Sequence, residues 1–383
     1  MSFLVPVLTL VSTFYFVRSS DLVVKQLSLY VTAFMLLVVL SESIFGASFS
    51  GKSEIYDNGL YIVATAIWIF YIPFLFFIGL KKVDTNEEIS SFSKVNIINE
   101  GLLLLFIAPF ISFLVYYGYS TGYRLDGQFM DYAGQRSIIV DYAFVYFISM
   151  LALFPKYRLL LFIGLIAFFL HFIAAERMRA FVYIMAISIH FYRLDQRPNI
   201  SSLFLLFGFG IATLVGLIRA GDAAVSDFNV SHFGSVTVSS FYLLDFSEML
   251  NNIEKLKYFI GMQAANIIPS SLIPDEYNIR AEIFNYADIP GGGWLPIFIY
   301  ILGSYQLVFC YGFIIAFVYK KISIMNSRYY YAPTYGLALT FIATAPRWFM
   351  YTPYQLIKMP FYAFIFTLFL GFLLRNINNG RAS

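Results

Sequence analysis

Charge is what this chain has least of. Asp, Glu, Lys and Arg make up only 12% of its 383 residues, while 60% are hydrophobic. A soluble globular domain carries roughly 25% charged and 45–50% apolar residues, so this deficit excludes an ordinary water-soluble fold. Cysteine is scarcer still. Cys310 stands alone in an apolar run, which excludes an intramolecular disulfide and leaves the redox compartment open. Histidine occurs three times, as His171, His190 and His232, too dispersed for a zinc site. There is no Asp-x-Asp, Glu-x-Asp or Asp-x-Glu triplet, so no metal site of the common sugar-transferase type is indicated and no metal ligand is assigned. A built-in ATPase of the usual kind is not expected. The net charge of +3 is spread over short connections with no basic stripe, which argues against nucleic acid as a partner. No cofactor is implied.

What the chain does have is apolar mass in long blocks, with a mean hydropathy of +0.75. About eleven blocks are long enough, as helices, to cross or nearly cross ~30 Å of hydrocarbon. They fall near 2–17, 27–49, 59–80, 101–119, 137–154, 159–175, 180–194, 200–218, 294–319, 331–346 and 359–375. The seventh and tenth are short. Alternating ten-residue strands are missing, which argues against a barrel. In lipid the backbone has to satisfy its own hydrogen bonds, so each block is expected to be helical. The first block has no basic residues before it and no small-residue cleavage site, and it is read as a span, not a signal peptide. The fold class expected is therefore an all-α polytopic membrane protein. Its divisions are an N-terminal bundle over 1–218, a large loop over 219–290 and C-terminal spans over 291–383.

Lys and Arg set the orientation. The short connections at 18–26, 81–96, 155–158, 193–199 and 320–330, with the C-terminal tail, hold most of the Lys and Arg outside the long loop. That side is expected to be cytoplasmic, and the loop 219–290 to face outward. Within the loop, Tyr242, Phe246, Met249, Leu250, Ile253, Leu256 and Ile260 recur at helical spacing, predicting one amphipathic helix. It either lies in the membrane interface, apolar face down, or packs within a small cap; both readings stay open.

Four arginines on the outward side need a reason. Arg177 and Arg179 stand between two apolar blocks with almost no loop, Arg219 ends the eighth block, and Arg280 precedes the ninth. A single boundary arginine is usually an anchor or a topology signal. Four that converge would form a polyanion site, because guanidinium makes permanent, bidentate contacts with phosphate. His171 and His190, inside blocks, are expected as hydrogen-bonded core residues. His232 lies in the polar loop with Asp222 and Asp227, and its ordinary pKa suits proton transfer near neutrality. Glu42 and Asp141 fall inside spans, either as relay carboxylates or facing a watery bundle interior.

Several short elements occur together in order. They are Ala174-Ala175-Glu176-Arg177-Met178-Arg179-Ala180, Leu217-Ile218-Arg219-Ala220-Gly221 and Ser231-His232-Phe233-Gly234-Ser235. Ile267-Ile268-Pro269 with Ile273-Pro274 follows, then Gly291-Gly292-Gly293 with Pro296, Gly303 and Gly312. In this order the chain resembles the Wzy-type O-antigen polymerases, the oligosaccharide repeat-unit polymerases related to O-antigen ligases. The resemblance covers roughly residues 170–320. It departs where the family's Glu-Phe-Gly element has His232, and where an acidic residue early in the ninth span is missing around Ile299–Tyr300.

The resemblance implies a metal-independent glycosyltransferase of GT-C-like architecture in the bacterial inner membrane. Its substrates would be undecaprenyl-pyrophosphate-linked glycans, as donor and acceptor, joined at the periplasmic face. Its partners would be membrane lipids and a chain-length-regulating membrane protein. The pyrophosphate would be held by Arg177, Arg179, Arg219 and Arg280, with Arg219 also counted as catalytic. His232 would be the base, with Asp222 and Asp227 as rivals. Tyr242, Tyr277, Tyr286 and Trp294 are available for sugar stacking or for packing. An O-antigen ligase, a lipid-linked oligosaccharide flippase and a membrane subunit without chemistry are the competing readings.

Overall fold

A computed structural model describes residues 4–44, 53–79, 100–121, 133–173, 177–194, 205, 210, 232–269, 272–279, 282, 293–328, 331–350 and 355–380. Among them are twelve α-helices and no strand. They are α1 (Leu4–Arg18), α2 (Leu22–Ile44), α3 (Ser53–Phe77), α4 (Glu100–Thr121), α5 (Ala133–Leu153), α6 (Leu159–Ile173) and α7 (Arg177–Leu194). After these come α8 (His232–Glu248), α9 (Asn252–Ala265), α10 (Leu295–Arg328), α11 (Ala332–Met350) and α12 (Gln355–Gly380). Ten of the expected apolar blocks coincide with helices; the eighth, 200–218, lies outside the described residues apart from Leu205 and Gly210.

Three helical stretches are long and apolar enough to cross a membrane: Gly59–Phe77, Leu295–Ile322 and Leu356–Ile377. Shorter apolar stretches occur in α1, α2 and α4 to α7. Side chains that would be costly in water point outward, with Phe76, Leu104, Leu105, Val115, Phe162 and Phe372 between 61% and 80% exposed. In hydrocarbon that surface carries no penalty. This is a helical membrane protein.

The chain forms two compact units. One comprises Met1–Val83, Ala223–Lys320 and Ala345–Lys358; the other comprises Asp84–Asp222, Lys321–Thr344 and Met359–Ser383.

In the first unit, α1 and α2 form a hairpin. Buried Asp21 caps α2, its Oδ1 accepting from the Val23 and Val24 N–H groups at 2.9 and 3.0 Å. Its Oδ2 accepts from the Tyr319 hydroxyl of α10 at 2.9 Å. Ser12 and Thr32 join the two helices at 2.7 Å. An aromatic core collects Phe34, Phe70, Trp294, Trp348 and Phe349, packed at edges and tilts with centroids 5.4 to 6.3 Å apart. α3 and α10 approach closely at Gly312, where an added Cβ would lie 2.6 Å from the Phe70 carbonyl oxygen. On α8, buried Thr237, Ser239 and Ser240 form a polar stripe. Ser240 Oγ accepts from the Trp294 backbone N–H at 3.0 Å, and Thr237 Oγ1 from the indole N–H at 3.3 Å.

The 219–290 segment departs from the single amphipathic helix expected over 242–260. α8 ends at Glu248 and α9 begins after Asn251. Asn251 Oδ1 accepts from the N–H groups of Ile253 and Glu254 at 2.9 and 3.0 Å, and Glu254 Oε2 accepts from the Asn251 N–H at 2.9 Å. This capping box starts a new helix. α9 buries Tyr258, Gly261, Met262 and Ala265. Gly261 meets the Tyr277 backbone, with no room for a Cβ between them. The opposite row, Ile253, Leu256 and Ile260, is 70%, 59% and 50% exposed.

α10 is likewise not one continuous helix. Gly303 (φ −172°, ψ 30°) and Ser304 (φ 66°, ψ −175°) interrupt it. Ser304 is the non-glycine residue at positive φ among the described residues. Its backbone falls in a region that is nearly glycine-only, a placement costing about 1–3 kcal/mol.

The second unit is aromatic throughout. Phe110 stacks on Phe147 at 5.3 Å, and Tyr183 meets Phe144 edge-on at 5.1 Å. His171 stacks on Tyr183 at 5.2 Å and lies 4.5 Å from Tyr117. His190 is fully buried: its Nε2 lies 3.0 Å from the Pro155 carbonyl and its Nδ1 2.9 Å from the Tyr335 hydroxyl. A carbonyl only accepts, so the Nε2–H tautomer satisfies both partners. This is the hydrogen-bonded core histidine that the sequence suggested.

Candidate functional site

The first turn of α7 carries two cations. Arg177 is the first residue of α7 and Arg179 is the third, with no acidic residue in that first turn. The helix N-terminus already carries a partial positive charge from unpaired N–H groups, so two cations here are electrostatically unfavourable without an anion. Asp141 of α5 supplies one negative charge. Arg179 Nε lies 3.8 Å from Asp141 Oδ1, with the two side chains 15% and 17% exposed. At that distance and burial, the pair is more than a surface contact and less than a close bidentate clamp.

Two apolar helices hold this turn in position. α6 brings the chain up to Ile173 and α7 takes it back, with Gly164 of α6 close against Ile187 of α7. Beneath the turn, the Tyr117–His171–Tyr183 stack fills the space between α4, α6 and α7. Beside Asp141, Tyr142 stacks on Tyr362 of α12 at 5.6 Å. Chemically, a helix N-terminus bearing two arginines is suited to a multiply charged anion.

The other expected site residues are distributed as follows. His232 is the first residue of α8, in the first unit. Arg219, Asp222, Asp227 and Arg280 lie outside the described residues, as does Tyr286. Of the proposed stacking aromatics, Trp294 is enclosed by Phe34, Phe349 and α8, so it packs and is closed to a sugar. Tyr277 lies under the Lys257 ammonium at 5.9 Å, and Tyr242 is exposed. Asp141, which sequence alone left between two roles, meets Arg179 38 positions away; no local pattern signals such a tertiary pair.

One spacing in the sequence bears on the expectation that no ATPase is built in. Gly46-x4-Gly51-Lys52-Ser53 has the residue spacing of a phosphate-cradling loop. That loop requires a strand before it and a helix after it. Here the helix α2 precedes it and Ser53 opens α3, while residues 45–52 lie outside the described ones. A helix stands where that loop has its strand.

Among the described residues, no group of three or more His, Cys, Asp or Glu side chains is placed to hold a metal ion.

Fold and composition thus define a helical membrane protein with a paired-arginine helix N-terminus. Compared with known protein families, curated proteins and solved structures, the chain matches none.

Proposed function

We propose that this chain is a metal-independent membrane glycosyltransferase that polymerises undecaprenyl-pyrophosphate-linked oligosaccharide units at the periplasmic face of the bacterial inner membrane. The observation that carries the reading is the pair of arginines in the first turn of α7. Their charge adds to that of the helix terminus, and Asp141 lies 3.8 Å from Arg179. A diphosphate on a lipid is the membrane ligand that such a turn would favour.

In this reading the chain has about eleven spans in a GT-C-like arrangement, with the Lys- and Arg-rich short connections cytoplasmic and the 219–290 segment outside. The exposed row Ile253, Leu256 and Ile260 of α9 sits in the outer interface, apolar side down. Lys358 donates to the Ile268 carbonyl at 3.2 Å, which ties the chain just after α9 to the start of α12.

In the reaction, an acceptor sugar hydroxyl attacks the anomeric carbon of the donor. The bond to the pyrophosphate oxygen breaks, and the lipid pyrophosphate leaves with the electron pair. Arg177, Arg179, Arg219 and Arg280 stabilise the leaving charge. His232, with Asp222 as its rival, accepts the hydroxyl proton.

The test is glycan analysis of a deletion strain carrying wild-type or variant protein. The expected result is a single repeat unit on the surface without the protein, full polymer with wild type, and a single unit with stably expressed Arg219→Ala. Long lipid-linked polymer never attached to its final acceptor would instead identify a ligase. Units stalled on the cytoplasmic side would identify a flippase.

A further inference from the structure

The break in α10 has a location that chain length determines. The apolar stretch Leu295–Ile322 holds 28 residues, about 42 Å of helix at 1.5 Å per residue, against about 30 Å of hydrocarbon. From Tyr305 to Ile322 the helix measures about 27 Å, which matches the bilayer without the first segment. A span set at Tyr305–Ile322 puts Gly303 and Ser304 at the edge of the apolar layer. A helix break leaves carbonyl and N–H groups without helical partners, and next to lipid these have to meet protein, water or a ligand.

The side chains gathered there share one chemistry. Ser304 and Gln306, both exposed, hydrogen-bond to each other. The Tyr300 and Tyr305 rings lie 4.6 Å apart at 45°. Thr65 and Tyr61 of α3 lie near enough to Tyr305 to act on its hydroxyl. Tyr61 and Thr65 are one helical turn apart on α3, and Tyr61 is 47% exposed. All six side chains are neutral. They offer hydroxyl and amide groups that both donate and accept, alongside flat aromatic faces.

Other ligands would ask for different groups. A phosphate calls for Arg or Lys. A hard cation calls for carboxylates or several carbonyls. An acyl chain gains nothing from a cluster of hydroxyls. A sugar ring, with hydroxyls at its edge and C–H bonds on its faces, is matched on both counts.

We propose that this notch, formed by Tyr61 and Thr65 of α3 with Tyr300, Ser304, Tyr305 and Gln306 of α10, is a binding subsite for a neutral glycosyl unit. The proposal rests on the reading of the chain as acting on lipid-linked glycans, and it assigns the sugar portion to uncharged residues.

The experiment uses the full chain in lipid nanodiscs. The probe is the neutral oligosaccharide released by mild acid from the producing cells' own lipid-linked units, observed by saturation-transfer NMR. Transfer to the sugar ring protons is expected with wild type, and binding about ten-fold weaker with Tyr305→Ala/Gln306→Ala, from the loss of one or two hydrogen bonds and a stacking face. If the double variant does not elute as a single species, Tyr305→Phe and Gln306→Leu carry the same comparison singly. No transfer with wild type, or equal transfer with the variants, overturns the subsite. Polymer length in cells separates this from the functional reading. A deletion that leaves the glycan ladder unchanged removes the polymerase reading. A ladder lost on deletion but restored in full by the double variant removes only the subsite.

Discussion

At the scale of single residues, the arginine that matters most is the one with a visible partner. Arg179 and Asp141 lie 3.8 Å apart, each mostly buried. If the carboxylate only steadies the guanidinium, Asp141→Asn should keep full glycan length, whereas Arg179→Ala should reduce it to single units. Arg179→Lys should fall between, because an ammonium keeps the charge but cannot make a planar two-point contact. Glycan ladders from the complemented deletion strain decide this; an Arg179→Ala ladder equal to wild type would remove Arg179 from the site. The residues that sequence handled well are those whose setting is local. His190 was legible as a core histidine because an isolated imidazole in an apolar run has to find partners nearby. Trp294 was ambiguous, since an aromatic near a glycine-rich turn suits stacking or packing equally. Only the tertiary bonds to Ser240 and Thr237 settle it.

At the scale of elements, ten of the hydrophobic blocks translated directly into helices among the described residues, because hydrocarbon-length apolar runs leave the backbone no alternative. What spacing missed were the interruptions. The rows on α8 and α9 have compatible periods, so counting apolar positions merged them. Asn251 followed three residues later by Glu254 is nevertheless a helix-start signature present in the sequence. Asn251→Ala should cost about 1 kcal/mol at the start of α9, read as faster amide hydrogen exchange at Ile253 and Glu254 with little change in α8. Unchanged exchange would mean that tertiary packing alone holds that end. The exposed row on α9 has its own test. An environment-sensitive fluorophore at Ile253→Cys, in a Cys310→Ser background, should emit further to the blue in nanodiscs than at Glu276→Cys. Equal emission from the two would put α9 clear of lipid. The interruption of α10 was not legible at all, since one glycine followed by serine inside an apolar run is common in continuous helices.

At the scale of the whole molecule, hydropathy describes the chain in order, whereas the two units draw on separated stretches of it. No linear property says that residues near 21 and 319 will meet; the Asp21–Tyr319 bond is a product of packing. Orientation, by contrast, is a statement about charge that sequence makes on its own. In cells with a permeable outer membrane and an intact inner one, a membrane-impermeant maleimide should label Glu248→Cys in the Cys310→Ser background. It should leave Gly380→Cys unlabelled until the cells are lysed. The reverse pattern would turn the molecule over and place the α8–α9 segment in the cytoplasm.

The close approach at Gly312 has a mechanical meaning. With the α10 backbone pressed onto that of α3 at Phe70, those two rods behave as one beam below the contact. Any give near Ser304 is then confined to the eight residues from Leu295 to Leu302, which hinge at one end and are bolted through Trp294 to α8 at the other.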